Sequence, residues 1–420
     1  MPPTPERYQL DVAEALARVV AGVPRLGTER VGISGARGRV LASPARSPID
    51  MPQWNNAAMD GYALRASDIT RVPATLEVTG TIAAGSRAAG AVGPGEAMRI
   101  MTGAPVPDGA DSVVRVEDTD DGRERVEVRG NRDARRNVRL AGEDFRANTS
   151  VLEPGDVLGA AHIGLLATIG AAEVEVVRAP RVAILSSGDE LVPPGQFDEV
   201  LAGRKIVASN AVTLRELVRD AGGEPVDIGI AADTRESVRE HLKRASGADL
   251  LITSGAVSVG EFDYLRDVLV AEGAEIDFWR VRMRPGSPVA FGRLGAMPWI
   301  GLPGNPVSTM VTFEVFARPA IRKMRGHDAF YPATVEVVLG EAFDRTADIA
   351  HFIRVKLTCE NGRLVAHRTG SQSSGVLTSM ARADALLVLP RGVHDAPAGA
   401  TMRAIPLNDR LAHSDTFDVG

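Results

Sequence analysis

The stretch from Leu250 to Asp263, Leu-Leu-Ile-Thr-Ser-Gly-Ala-Val-Ser-Val-Gly-Glu-Phe-Asp, gathers hydroxyls, glycines and acids after a short apolar run. The run ends at Thr253, a turn follows from Ser254 to Gly260, and Phe262, Leu265, Val268 and Leu269 recur at helical spacing, so the unit reads strand, loop, helix. Such a loop aims backbone N–H groups and a helix dipole at one point, where phosphate or another oxyanion can sit. Glu261 and Asp263 favour a helix start but repel a bare anion. A divalent cation such as Mg²⁺ reconciles the two, because carboxylates and phosphates share it. An ordinary capped turn with no ligand accounts for the same residues.

Other stretches carry comparable chemistry. In Phe278-Trp279-Arg280-Val281-Arg282-Met283-Arg284, a period of two puts three guanidiniums on one face, either an oxyanion clamp or the solvated face of an edge strand. Ser186-Ser187-Gly188-Asp189-Glu190 follows a strand at Val182 to Leu185, and Asp233 stands where it can cap a helix. Asn55-Asn56-Ala57-Ala58-Met59-Asp60-Gly61-Tyr62-Ala63 has neither regular period and reads as a tight functional loop or a plain turn. Met101-Thr102-Gly103-Ala104-Pro105 ends a strand in a turn, and Gly142-Glu143-Asp144 pairs two acids. The run Thr369-Gly370-Ser371-Gln372-Ser373-Ser374-Gly375 offers hydroxyls or simple flexibility.

The elements that must position these residues follow from periodicity. Tyr8 to Val20 has one apolar helical face, with Asp11 and Glu14 resembling a capping box. Short strands separated by glycine turns between Ala74 and Val128 suggest an inserted β domain. Residues 178 to 326 alternate strand and helix, which predicts a βαβ domain with a largely parallel sheet and a ligand edge at the strand carboxyl ends. Ser187, Glu190, Asp233, Ser254 to Asp263 and Gly304-Asn305 would gather at that edge. A long helix follows Pro306, and Tyr331 to Leu407 reads as a small β domain with a hairpin at Asn361-Gly362. The expected division is a platform of residues 1–50 and 146–177, an inserted β domain at 51–145, an α/β domain at 178–328, a β domain at 329–409 and a disordered tail at 410–420.

With 420 residues, 44% hydrophobic and 24% charged, the chain can bury several cores. Its start lacks a signal-peptide pattern, and Val157 to Val177 carries His162, Glu173 and Glu175, so a buried helix and strand is expected there rather than a membrane span, and the cytoplasm is the expected compartment. A net charge of −6 and 4% aromatic residues argue against nucleic acid or an anionic membrane as partner. Only Lys205, Lys243, Lys323 and Lys356 are lysines among 48 basic residues, so arginine can stand here where related chains carry lysine. The single cysteine, Cys359, excludes a disulfide framework and reads as a buried thiol in a strand.

Five runs in order, Ala58-Met59-Asp60-Gly61-Tyr62-Ala63, Met101 to Pro107, Ser187-Gly188-Asp189-Glu190-Leu191, Ser254 to Glu261 and Gly301-Leu302-Pro303-Gly304-Asn305-Pro306-Val307-Ser308, resemble the molybdopterin molybdenumtransferase family, that of MoeA and the gephyrin E-domain. The resemblance spans nearly the whole chain. It implies an elongated homodimer with a MogA-like α/β molybdopterin-binding domain and a small C-terminal β-barrel, its cleft shared between the α/β domain of one chain and the inserted domain of the other. It implies an Mg²⁺-dependent enzyme that inserts molybdate into adenylylated molybdopterin and releases AMP, with the pathway's adenylyltransferase as a possible partner. Asp60, Thr102, Asp144, Glu190, Asp233 and Asp263 match the family's functional positions, and Arg280 and Arg284 its basic ones. The metal falls to Glu190, Asp233 and Asp263. Substrate binding falls to Ser187, Gly188, Ser254, Gly255, Ser258, Gly260, Pro303, Gly304 and Asn305, with molybdate at Arg284, Ser287, Pro288, Ser308, Arg354 and the Ser371 to Ser374 loop. The chain departs from the family at Ala256, usually glycine, at Ser287, often lysine, and at Trp54-Asn55, often Phe-Asp. Those departures motivate an alternative: a non-catalytic paralogue acting as a molybdopterin or molybdate carrier or a dimeric scaffold.

Overall fold

A computed structural model describes residues 9–255, 264–344, 348–393 and 395–408. The chain divides into two compact units, one of residues 30–37 and 41–175, the other of residues 1–29, 38–40 and 176–420. The smaller unit is built on a five-stranded sheet in the order Ser112–Arg115, Gly61–Leu64, Glu96–Ile100, Ala74–Ile82, Arg125–Val128. Alternation puts Tyr62, Leu64, Leu76 and Val114 into one core and Ala63, Ile82, Met98 and Val113 into another. Gly61 opens its strand where a Cβ would meet the Val114 carbonyl at 1.9 Å, so only glycine admits this pairing beside Asp60.

In the larger unit, Glu224–Ala231, Arg181–Ser187, Leu250–Ser254 and Met297–Leu302 form a parallel sheet. Ala290–Leu294 and Ala274–Trp279 extend it antiparallel. The parallel strands Arg181–Ser187 and Leu250–Ser254 are buried almost throughout, as expected for strands covered on both faces. Helices Ser209–Asp220 and Arg235–Lys243 cover them, and the helix expected after Pro306 runs as Pro306–Thr312, one π segment Phe313–Ala317 and Arg318–Met324. The C-terminal strands Ala350–Glu360, Arg363–Arg368, Val335–Leu339, Thr401–Pro406 and Ala385–Leu389 close on themselves as a five-stranded barrel. Asn361 (φ 51°) and Gly362 (φ 74°) make its hairpin turn.

Several local expectations are overturned. The Phe278 to Arg284 strand is broken: Ala274–Trp279 ends at Arg280, whose φ is 118°, and Met283–Arg284 instead pairs with His351 and its neighbour on the barrel strand. The cause is Leu10, whose N–H donates to the Arg280 carbonyl while its own carbonyl accepts from Arg282 N–H, so an N-terminal segment pulls the chain out of the sheet. The three arginines therefore do not share one strand face. The first helix is Val12–Gly22, and Asp11 makes no capping bond; its carboxylate binds Arg391 at 3.2 and 3.3 Å. Cys359 is exposed, because it lies near the hairpin tip where the strand has outrun the barrel core. Val157 to Val177 does fold as helix Ala160–Thr168 and strand Glu173–Val177, but only Leu166 of that helix is fully buried. No helix among the described residues is long and apolar enough to cross a membrane.

Candidate active site

The carboxyl ends of the parallel strands open into a cleft of about 1340 Å³ in the larger unit. Ser187, Gly188, Glu190, Asp233, Ser254 and Gly255 line one part of it, from the loops after three neighbouring strands. Pro303, Gly304, Asn305 and Ser308 come from the Leu302 to Pro306 turn and the helix behind it. Arg284, Ser287 and Pro288 come from the loop beyond the broken strand, and Arg354 and Ser374 from the barrel side. These residues are scattered over almost 190 positions of sequence; the loops after the parallel strands leave one edge of the sheet, and the barrel and the 284–288 segment supply the rest of the lining.

Arg354 dominates the electrostatics. It is 1% exposed, and its guanidinium donates to Ser379 Oγ at 3.2 Å and to the carbonyls of Ser371 and Ser373 at 3.4 and 3.1 Å. No carboxylate pairs with it among the described residues, and burial pulls its pKa down to about 10. A buried cation without a counter-ion is costly, and an anion in the cleft would supply the missing charge. Ser186 and Ser187, 1% and 7% exposed, have hydroxyls with no hydrogen-bond partner among the described residues, and both residues line the same cleft. A water or a bound ligand would satisfy such buried polar groups.

Acids stand in the loops after the strands Arg181–Ser187 and Glu224–Ala231. Asp189 and Asp233 are locked together: Asp233 N–H donates to Asp189 Oδ1 at 3.0 Å and Asp189 N–H to Asp233 Oδ2 at 3.3 Å. The expected helix cap at Asp233 falls instead to Thr234, whose hydroxyl accepts Ser237 N–H at 3.2 Å. Asp233 is thereby kept at the cleft rather than spent on the helix. Gly188 takes φ 150°, and a Cβ there would lie 2.6 Å from Glu190 Oε2, so glycine lets that carboxylate fold back over the loop. The Glu190 carboxylate has no hydrogen-bond or ion-pair partner among the described residues.

Asp60 and Thr102 meet in the smaller unit. Asp60 Oδ1 accepts the Thr102 hydroxyl at 2.6 Å and the Thr102 N–H at 2.7 Å. The hydroxyl bond, then the backbone bond, holds the exposed Asp60 carboxyl below its ordinary range. Asp144 belongs to the same unit, exposed in a turn whose N–H donates to the Met51 carbonyl. Arg280 and Ser371 are not among the residues that line the larger unit's cleft. Ser258, Gly260 and Asp263, with Ala256, lie outside the described residues, as does the 410–420 tail.

Residues 10–170 match the MoeA N-terminal region (domain I and II), residues 183–323 a probable molybdopterin binding domain, and residues 336–407 the MoeA C-terminal region (domain IV). It is 38% identical over 405 residues to the molybdopterin molybdenumtransferase of Nostoc sp. PCC 7120, covering 93% of this chain and 92% of that one. The chain belongs to the molybdopterin molybdenumtransferase family. Molybdopterin molybdenumtransferase 2 of Mycobacterium tuberculosis is 37% identical over 383 residues, covering 89% of this chain and 93% of the relative. The MoeA protein of Pyrococcus horikoshii OT3 superposes with a TM-score of 0.82 at 26% identity, covering 95% of this chain and all of that one. The chain is thus a transferase of molybdenum cofactor biosynthesis.

Some cleft residues of this family member were not legible in advance. Asn210 donates through Nδ2 both to Ser254 Oγ and to the Gly304 carbonyl, each at 2.8 Å, and so ties two strand-end loops together. It looks like any polar residue at a helix start, and no spacing rule marks it. Ser186 stands out in the sequence only as a neighbour of Ser187. Arg368 also lines the cleft, but Glu341 holds it at 2.6 Å and it stacks 4.2 Å from the Phe343 ring centre.

Proposed function

We propose that the chain inserts molybdenum from molybdate into adenylylated molybdopterin with release of AMP. The observation that carries this reading is Arg354, which among the described residues is a buried cation without a carboxylate partner, in a cleft where the Ser186 and Ser187 hydroxyls likewise find no described partner. Molybdate is a compact dianion that takes up donors from every side. Guanidinium and hydroxyl groups hold it, and Arg284, Ser287, Pro288 and Ser308 surround the same space. Ser287 in place of a lysine leaves Arg354 and Arg284, beside the Glu341-paired Arg368, as the guanidiniums that line the cleft among the described residues. The dithiolene sulfurs that receive the metal belong to the substrate, so Cys359 has no part in the chemistry.

Glu190 and Asp233 suit Mg²⁺: both are hard oxygen donors, and this ion is commonly held by one or two carboxylates together with substrate phosphates and waters. No group of three metal-ligating side chains converges among the described residues, and Asp263 would be the third member of the set. When bound, Mg²⁺ supplies positive charge to the pyrophosphate link. The chain's own part is to bring the glycine-rich loops at Gly188, Gly255 and Gly304 close to the substrate backbone and to keep Asp60 ionised and oriented by Thr102. Asp144, Arg280 and Arg284 complete the set of functional residues in this reading. It also includes a cytoplasmic homodimer that receives its adenylylated substrate from the pathway's adenylyltransferase.

Equilibrium dialysis of the purified protein against molybdate, read as bound molybdenum, tests the anion site. Saturable binding that sulfate displaces weakly is the expected result. Unsaturable or absent binding sets the reading aside. Near-normal molybdenum insertion by Asp60→Ala would count against the place given to Asp60.

A further inference from the structure

Gln372 has a geometry that its neighbouring serines lack. Its side-chain amide lies along the main chain of Arg354: Oε1 accepts the Arg354 N–H at 3.0 Å and Nε2 donates to the Arg354 carbonyl at 3.1 Å. A primary amide carries the same donor and acceptor as a peptide group, so the side chain completes a rung beside the barrel strand. Nε2 also reaches the Gly370 carbonyl at 3.2 Å, closing the loop on itself. On either side of Gln372, the carbonyls of Ser371 and Ser373 accept the Arg354 guanidinium. Ser374 anchors the far end, its hydroxyl accepting Asn305 Nδ2 at 3.0 Å and its carbonyl accepting Val307 N–H at 3.2 Å.

The loop is therefore folded around Arg354: Thr369 N–H and hydroxyl donate to the Arg354 carbonyl at 3.2 and 3.3 Å where the loop begins, and Gln372 is the latch that bonds both the N–H and the carbonyl of Arg354 from the loop's middle. We infer that Gln372 is a positioning residue, which sets the direction of the Arg354 guanidinium for the incoming oxyanion. No carboxylate among the described residues fixes that guanidinium; two of its three bonds go to the carbonyls of Ser371 and Ser373, the residues on either side of the latch, while Thr369 and Ser374 hold only the ends of the loop. Loss of the latch lets the loop and the guanidinium move together. The consequence falls on molybdate and leaves the pterin subsites at Gly188 and Gly255 untouched. This inference rests on the reading of the cleft as a molybdate site.

The test compares Gln372→Met, similar in length but without the amide, with Gln372→Glu, which sets a carboxylate oxygen against the Arg354 carbonyl. Steady-state AMP release is measured against molybdate at saturating adenylylated molybdopterin, and the reverse, with Arg354→Met in parallel. Loss of two modest hydrogen bonds predicts a rise of about tenfold in the KM for molybdate in Gln372→Met, and a larger rise in Gln372→Glu. The KM for the pterin and the kcat at saturating molybdate should stay within about twofold of wild type, since neither variant touches those contacts. An unchanged molybdate KM in Gln372→Met, beside a large loss in Arg354→Met, overturns the positioning role and leaves the anion site standing. Equal losses in kcat and both KM values, with a lowered unfolding midpoint, also overturn it, since the residue would then only hold the barrel together. Molybdate-independent AMP release by the wild type overturns both the role and the site.

Discussion

Replacing Arg354 by methionine should leave stability nearly unchanged while removing the anion site. Burial pulls the Arg354 pKa well below the ordinary guanidinium range, to about 10, which penalises the charged form by about 3 kcal/mol at about 1.4 kcal/mol per unit. Against this stand three hydrogen bonds, to Ser379 Oγ and to the carbonyls of Ser371 and Ser373, each contributing about 1 kcal/mol. The two terms nearly cancel, and methionine fills most of the same volume with no charge to desolvate. Chemical denaturation should therefore place the variant within about 1 kcal/mol of wild type. Molybdate binding should behave differently, because one member of a desolvated charge pair is gone; a loss of about 3 kcal/mol is about 100-fold in affinity. Dialysis against molybdate and denaturation of the same preparations give both numbers. A variant destabilised by several kcal/mol that still binds molybdate would make Arg354 a structural cation and refute the reasoning.

His327, 7% exposed, is pushed down to about 4 by burial first and then by Arg322 and Arg325, so it folds neutral. The unfolded chain binds its proton from 6.5 downward, so stability is lost as pH falls from about 6.5 to 4, by about 3 kcal/mol in all; His327→Gln should flatten that part of the stability-pH curve. Asn210→Ala should slow turnover by loosening the Ser254 and Gly304 loops, and Asn210→Asp, which turns a donor into an acceptor facing two oxygens, should be the worse of the two by steady-state assay. Arg280→Gly should raise the unfolding midpoint, since φ 118° costs a non-glycine residue about 1–3 kcal/mol and glycine's own entropy returns only about 0.5–1. Arg280→Lys should bring no such gain, and equal midpoints for the two variants would remove the strain from the account.

Much of this architecture is written in short-range patterns. The alternation of strand and helix between 178 and 326, the Asn361-Gly362 turn and the glycine-hydroxyl loops at strand ends all act within a few residues. The parallel sheet then carries the loops to one edge without further instruction. The misreadings have a common cause in contacts between distant segments. Leu10 breaks a strand 270 residues away at Arg280, and Arg391 takes Asp11 from its expected cap. Cys359 alternates correctly but sits beyond the core that would cover it. Thr234 displaces Asp233 as a cap by one position, a shift that propensity does not resolve because both residues cap well. That Arg354 is buried without a counter-ion among the described residues is a property of the barrel and the 369–376 loop together, and neither stretch of sequence announces it.

The most direct test of the account is AMP release by the purified protein from adenylylated molybdopterin and Mg²⁺, measured with and without molybdate. Molybdate-dependent release, lost in Arg354→Met, is the predicted result. Adenylylated molybdopterin that stays bound and intact with molybdate present would contradict it, and would make the chain a carrier or scaffold on the same fold.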